Sequence, residues 1–388
     1  MNMRMHGTSP CIDPVALQDH TIANSDVVTK YNVAGEIGSR VLANLKELAV
    51  AGAKIIDLVL EGDKQLTEAT GKVYKGKKIN KGIAFPTSIS VNNVVAHFSP
   101  LPTDEEAQIE LKEGDVVKIT LGAQIDGFAS CLADTIVVGK SEVTGRIADV
   151  ISAAWYASEA ALRTVRPGKK NWDVTKIVDA VVKEFDCTAL EGMLSNSQSR
   201  NVVDGKKRII LNPSEGQRRD FESAEFEEGE VYGIDILVST GDGKVKNGDK
   251  TTTIFKKNDI TYQLKLRTSR AVFSEVQKKA GDFPFSLREL DDPKKGRMGL
   301  KEPQDHNLIT PYEVLYDKEG QIVVQFFTTI ALTAKGNVKF AGAPAPDFSK
   351  VKSDKKIQNQ DILDLLATPL KTNNKKKNKK NKKDEASA

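Results

Sequence analysis

One arrangement occurs twice in this chain, and it restricts the fold more than any other feature. From Lys30 onward, Ala34, Ile37, Val41, Leu42, Leu45 and Leu48 recur at three- and four-residue steps. That spacing predicts a helix with a single apolar face, ending near Ala51 and Gly52. A second helix is predicted through Ile55, Leu58, Val59 and Leu66. About 115 residues later the pattern returns: Ile147, Val150, Ile151, Ala154, Ala157, Ala161 and Leu162 mark a helix that Pro167 and Gly168 break. Val174, Ile177, Val178, Val181 and Val182 mark its partner. Each pair precedes β-rich sequence. Val116 to Val138 contains Asp126-Gly127, a strong hairpin signal between alternating segments, and Glu230 to Ser239 ends in Thr240, Gly241, Asp242 and Gly243. A recurring helix-helix-strand unit predicts an α+β domain of two similar halves around a shared cleft.

The flanks differ in kind. Residues 1–26 are polar, hold Pro10 and Pro14, and predict a flexible arm before a domain at 27–345. Residues 244–303 interrupt the second half with fifteen Lys or Arg against eight Asp or Glu, and Leu266 to Phe273 reads as partly helical. Residues 308–316 and 321–332 read as strands joined through Asp317, Lys318, Glu319 and Gly320. A polar linker at 346–370 carries one short amphipathic segment, Ile362 to Leu366, followed by a Lys-rich tail at 371–388 that is expected to be disordered. The net charge is +4, yet eight Lys against Asp384 and Glu385 give the tail +6 and leave −2 for the rest. Cys11, Cys131 and Cys187 form no CxxC pair, which argues against a disulfide framework or a zinc finger. No apolar run reaches the roughly 18 to 20 residues of a membrane span, and MNMRMHGTSPCIDP has no secretory apolar core. These features predict a protein of the nucleus or cytosol.

Four strings carry a resemblance: AFPTSISVNNVVAHFSP (84–100), GDVVKITLGAQIDGFAS (114–130), EEGEVYGIDILVSTGDG (227–243) and VVQFFTTIAL (323–332). Over residues 22 to about 345 the chain resembles the methionine aminopeptidases, and its basic insertion resembles the helical insert of their type 2 members. The resemblance implies the pseudo-symmetric pita-bread fold with a site between the halves. It also implies five metal ligands: two Asp on the first hairpin, a His after the second helix pair and two Glu on later strands. Those positions hold Thr120, Cys131, Met193, Asp235 and Phe327. Two neighbouring divalent cations need anionic ligands to screen their repulsion and to acidify a bridging water. Only Asp235 would still serve, and Phe327 would fill the cavity with hydrocarbon.

His97 matches the substrate-facing histidine, with a cleft histidine of no task as the plainer reading. Asp235 has its own plain reading, a solvated or Arg-paired carboxylate. A slipped alignment would make one of the nearby carboxylates Asp126 and Asp134 a ligand. A catalytic role is therefore expected for none of these residues, and no cofactor or metal is expected.

Loss of the ligands, the intact GIAFPTSISVNN and EGMLS segments and the Lys tail together resemble one non-peptidase branch, the proliferation-associated, receptor-binding and curved-DNA-binding proteins. This implies a pseudoenzyme that binds RNA, associates with the large ribosomal subunit and moves between nucleolus and cytoplasm, with curved DNA as a further partner. The tail supports it through charge: Lys375, Lys376, Lys377, Lys379, Lys380, Lys382 and Lys383 would each displace counterions from a phosphate backbone. The insertion offers Arg267, Arg270, Lys278 and Lys279, with Arg267 and Arg270 three apart and expected to hold adjacent phosphates from one helix face. Ile362 to Leu366 reads IxxLL, either a helix that docks into a partner's groove or one that packs on its own domain. Two rivals stay open: an aminopeptidase with an altered metal site, and an adaptor that holds a peptide in an empty cleft.

Overall fold

Asn24 accepts a hydrogen bond from the Asp26 amide, so the chain enters its first helix with one orphan donor already satisfied. The computed structural model describes residues 19–248 and 250–371. Helix α1 (Ser25–Leu48) starts ahead of the Lys30 pattern, because Val27 and Tyr31 are buried against Phe128 and Phe340, contacts that lie far away in sequence. Helix α2 (Ile55–Lys72) follows, then β1 (Lys81–Val91), β2 (Val94–Ala96), β3 (Val116–Ile125) and β4 (Phe128–Val137). Asp126 and Gly127, both at positive φ, close the expected β3–β4 hairpin. Strand β1 was not read from the sequence. It contains Pro86, and its pairing to β3 is irregular around that proline, between Ile83 and Ser88, where a residue without an N–H is tolerated.

The second half repeats the order with β5 (Val143–Thr144), α3 (Gly145–Thr164), α4 (Asn171–Lys183), β6 (Thr188–Ala189), β7 (Leu194–Gln198), β8 (Arg208–Ile210), α5 (Glu215–Asp220) and β9 (Val231–Ser239). The insertion comprises β10 (Lys246–Asn247), β11 (Ile254–Lys257), α6 (Arg267–Lys279), β12 (Phe285–Ser286), α7 (Pro293–Gly299), α8 (Lys301–Asp305), β13 (Ile309–Tyr312) and β14 (Leu315–Tyr316). The strand expected over 308–316 is split. Strand β13 pairs with β11 while β14 pairs with β10 and β2, so this stretch forms no hairpin with the strand after it. The return is β15 (Val323–Thr333), β16 (Gly336–Ala341), β17 (Val351–Lys352) and α9 (Gln360–Ala367).

The main sheet has nine strands, along the path β1-β3-β4-β15-β9-β7-β8, with β16 on β15 and β6 on β9. Its two faces follow from the two-residue period of a strand. Ile119 and Leu121 of β3 and Leu132 of β4 face α1 and α2, while Ile234 and Ile236 of β9 and Phe326 of β15 face α3 and α4. The alternate residues, Thr120, Cys131, Asp235 and Phe327 among them, therefore share the opposite face.

The segment read as a linker is instead a strap. Strand β17 pairs with β5, Ile362 is buried in the α3–α4 core, and Leu365 and Leu366 pack against it. That settles the two readings of the IxxLL segment: its apolar face is occupied by its own domain, so it is not a free docking helix. The Lys-rich tail from 372 onward lies outside the described residues.

Candidate functional site

Strand register sets the site. Thr120 pairs with Ala133, Ala133 with Phe327, and Phe327 with Asp235, forming one row across β3, β4, β15 and β9. Cys131 stands two residues from Ala133 on the same face. Three of the five expected ligand positions thus share this row, and a fourth is its neighbour.

The chemistry of the row is not that of a cation site. Gln325, two residues before Phe327, donates from Nε2 to both carboxylate oxygens of Asp235, at 2.8 and 3.1 Å. Its Oε1 accepts from Thr120 Oγ1 at 2.9 Å. Asp235 is half-buried and, against one of its plain readings, is not paired with an arginine; the amide of the buried Gln325 holds it. Burial pushes its carboxyl up to about 7, against the pull of that amide, so near neutral pH it is only partly charged. Gln325 was not singled out from the sequence, although a glutamine among the apolar residues of VVQFFTTIAL was the available signal.

Beside the row the surroundings are hydrocarbon. Ala84, Ala129, Cys131 and Phe283 form a buried cluster, with Phe85, Val203 and Phe327 packed against it. Phe283 comes from the insertion, so the insertion supplies part of the wall of the cleft, whose Phe85, Val203 and Phe327 are half-buried. The fit is close. A Cβ on Gly233 would lie 2.6 Å from the Phe327 ring, and one on Gly122 would lie 2.5 Å from the Cys131 sulfur. Burial, and secondarily Asp235, pushes the Cys131 thiol up to about 12, the wrong direction for a nucleophile.

The other candidates fall elsewhere. Met193 packs between the α3–α4 core and a cluster of Val95, Ala96, Leu190, Leu237 and Val323, outside the Cys131 cluster. His97 is half-buried at φ +67°, its Nδ1 3.0 Å from the Glu313 carbonyl oxygen and its ring edge-on to Tyr312. Burial holds it below the ordinary imidazole value, partly opposed by that hydrogen bond. Asp134 lies on the helix face and pairs with Lys46, and Asp126 at the hairpin turn pairs with Lys30 and Arg200. Neither can replace a ligand. Among the described residues no three His, Cys, Asp or Glu side chains gather as a metal would require, so the residues present do not fit the family's two cations. A buried Lys118, also missed from sequence, donates to the carbonyls of Asn92 and Val323 on the site face.

The insertion's basic residues are less available than expected. Arg270 is exposed, but its guanidinium is not free beside Arg267. It turns back to donate to the Leu264 and Lys265 carbonyls at the entry of α6, where Leu266 provides no side-chain cap. Lys279 pairs with Glu275 and Asp291. Arg267, Arg270, Lys278 and Lys279 are all exposed, and of them Arg267 and Lys278 lie eleven residues apart and so about three turns along one stripe of α6. The tail lysines, Lys375 to Lys383, lie outside the described residues.

Residues 29–260 match the sequence profile of metallopeptidase family M24, and the chain belongs to that family. Within it, the chain is 53% identical to the curved DNA-binding protein of Schizosaccharomyces pombe, over 93% of this chain and 95% of the relative. It is 43% identical to the ERBB-3 binding protein 1 of Solanum tuberosum, over 93% of this chain and 92% of the relative. The structure of a thermophilic Arx1 superposes with a TM-score of 0.86 at 38% identity, covering 90% of this chain and all of the other. The pita-bread fold and the resemblance to the curved-DNA-binding and receptor-binding branch are borne out by these likenesses.

Proposed function

We propose that this protein is a catalytically inactive member of family M24 that binds nucleic acid. Its main partner is RNA, including the large ribosomal subunit, with curved DNA a further one through the same phosphate chemistry. The expected setting is ribosome maturation, translation or growth control, in nucleus, nucleolus and cytoplasm. The observation that carries the loss of catalysis is the row Thr120, Ala133, Phe327 and Asp235, in which a phenyl ring stands opposite the one surviving carboxylate and Gln325 engages both its oxygens. Such a row offers no set of hard anionic ligands to bridge two cations. The name of the curved DNA-binding protein and the tail's charge support the nucleic-acid part.

Two measurements test this reading. Purified full-length protein should contain no stoichiometric zinc, manganese or cobalt and should release no methionine from a short peptide; tightly held metal with turnover would overturn the reading. Sedimentation with large ribosomal subunits and crosslinking to cellular RNA should both recover the protein. Failure of both at physiological salt removes the RNA assignment.

A further inference from the structure

Three segments far apart in sequence meet at a buried hub, Asn171, the first residue of α4. Its Nδ2 donates to the carbonyls of Arg208 and Glu222, each at 2.9 Å, and its Oδ1 accepts from the amides of Ala224 and Trp172, each at 3.0 Å. The hub holds an exposed array together. The Arg208 guanidinium lies 5.3 Å from the Phe221 ring centre, Phe221 meets Trp172 edge-on at 5.8 Å, and Arg218 lies 5.5 Å from the Trp172 ring.

These two arginines differ from most others in the chain. Arg146, Arg163, Arg166, Arg200, Arg270, Arg288 and Arg297 donate to carbonyls or carboxylates, and Arg219 pairs with Asp220. Among the described residues no hydrogen bond or ion pair engages the side chains of Arg208 or Arg218, and both are exposed. Arg218 acts on Asp179 only at a distance: burial pushes that carboxyl up, and Lys183 and, more weakly, Arg218 pull it down. A guanidinium carried beside a ring and engaged by no carboxylate or carbonyl keeps its N–H donors free for phosphate oxygens and can offer its planar face to a base. Arg267 is exposed as well, but no ring fixes it.

The array lies near the root of the tail. Arg163 and Arg166 donate to the carbonyls of Thr368 and Pro369, and Lys371 bridges to Gly336. The exposed Lys169 and Lys170 connect Arg166 to α4. The six residues from Arg166 to Trp172 span no more than about 20 Å, and the 17 residues after Lys371 no more than about 60 Å. One bound strand can therefore meet both basic elements.

We infer that the Arg208, Phe221, Trp172 and Arg218 array is a contact surface for single-stranded RNA, acting on the same strand as the Lys-rich tail. The inference rests on the nucleic-acid function proposed above and names where on the folded domain the backbone is held. Phosphates lie against the guanidinium edges, and an unstacked base covers an outer guanidinium face.

The test uses the full chain, a labelled oligouridylate of about 20 nucleotides, and fluorescence anisotropy across a salt series. Changing Arg208→Gln together with Arg218→Gln should weaken binding on the order of tenfold at low salt and flatten the salt dependence by about 1.4, two phosphates at about 0.7 each. Arg208→Lys with Arg218→Lys should keep the salt slope yet lose part of the affinity, because an ammonium neither stacks nor forks. Unchanged RNA affinity and slope in the Gln variant, with melting curves that coincide, overturn the surface. An equal loss on duplex DNA overturns the single-strand assignment. A wild-type chain that binds neither nucleic acid sinks the proposed function itself, before any variant is compared.

Discussion

The cleft and the Asn171 array are both built from residues distant in sequence, and they differ in where their polar groups point. In the cleft, Thr120, Gln325 and Asp235 satisfy one another, and Cys131, Phe283 and Phe327 pack beside them. In the array, buried Asn171 satisfies the backbone while the arginine donors of Arg208 and Arg218 face outward. A site whose hydrogen bonds close on themselves stabilises a fold and leaves little for a ligand. Unsatisfied donors on stems already held in place do the reverse, since less motion is lost when a ligand arrives.

The strongest way to break this comparison is to put a carboxylate back into the cleft. Phe327→Glu places a second acid directly opposite Asp235 and among Ala84, Ala129 and Phe283. An unpaired acid in apolar surroundings costs about 3 kcal/mol or more, so urea unfolding should show a large loss. Millimolar manganese or cobalt should restore none of it, because Thr120, Cys131 and Met193 are still in place. Recovery with metal would mean that the cleft keeps a cation site and that its filling is incidental.

A smaller effect is expected outside the fold. Deleting residues 372–388 removes seven Lys, which should weaken RNA binding about a hundredfold at low salt and reduce the salt slope by up to about 5. The melting temperature should stay within about 1 °C, a shift too small for any lost core contact. An unchanged slope would leave the tail with no phosphate contact and shift that role to the folded surface alone.

Much of this was legible from the sequence, for physical reasons. The four long helices show apolar periods of three and four, and the β3–β4 hairpin has its Asp-Gly turn, so local pattern was enough. Strand β1 escaped because Pro86 interrupts it and its partner β3 lies about 30 residues on. The insertion read as basic and partly helical, but its own core of Phe255, Val272, Val276, Phe285 and Leu287 exists only through long-range contacts. For the same reason the strap read as a linker: Ile362 is apolar in any reading, but only the folded chain shows that it sits under α3. The ligand positions could be located from their flanking strings. What they do could not, because it depends on Gln325 reaching diagonally across two strands. No spacing rule links Trp172, Arg208 and Arg218.

The smallest expected effect sharpens the comparison most, because it is read as a pH profile. The Asp235 carboxyl is pushed up to about 7 in the folded chain by burial, whereas an unfolded aspartate titrates near 4. Its folded value is the higher one, so the native state keeps a proton that the unfolded chain releases. Stability is then lost as pH rises from about 4 to about 7, and the loss is complete above that. Asp235→Asn keeps an acceptor for the Gln325 amide and cannot ionise. The variant should match the parent near pH 4, gain on it through the window and hold that advantage at pH 8. His97 titrates in both proteins and cancels in the difference. Denaturant unfolding at several pH values gives the result directly. A variant that loses stability relative to the parent as pH rises would mean that the charged carboxylate is favoured in the fold. The cleft would then still present an anion to a partner, and the contrast with the outer array would fail.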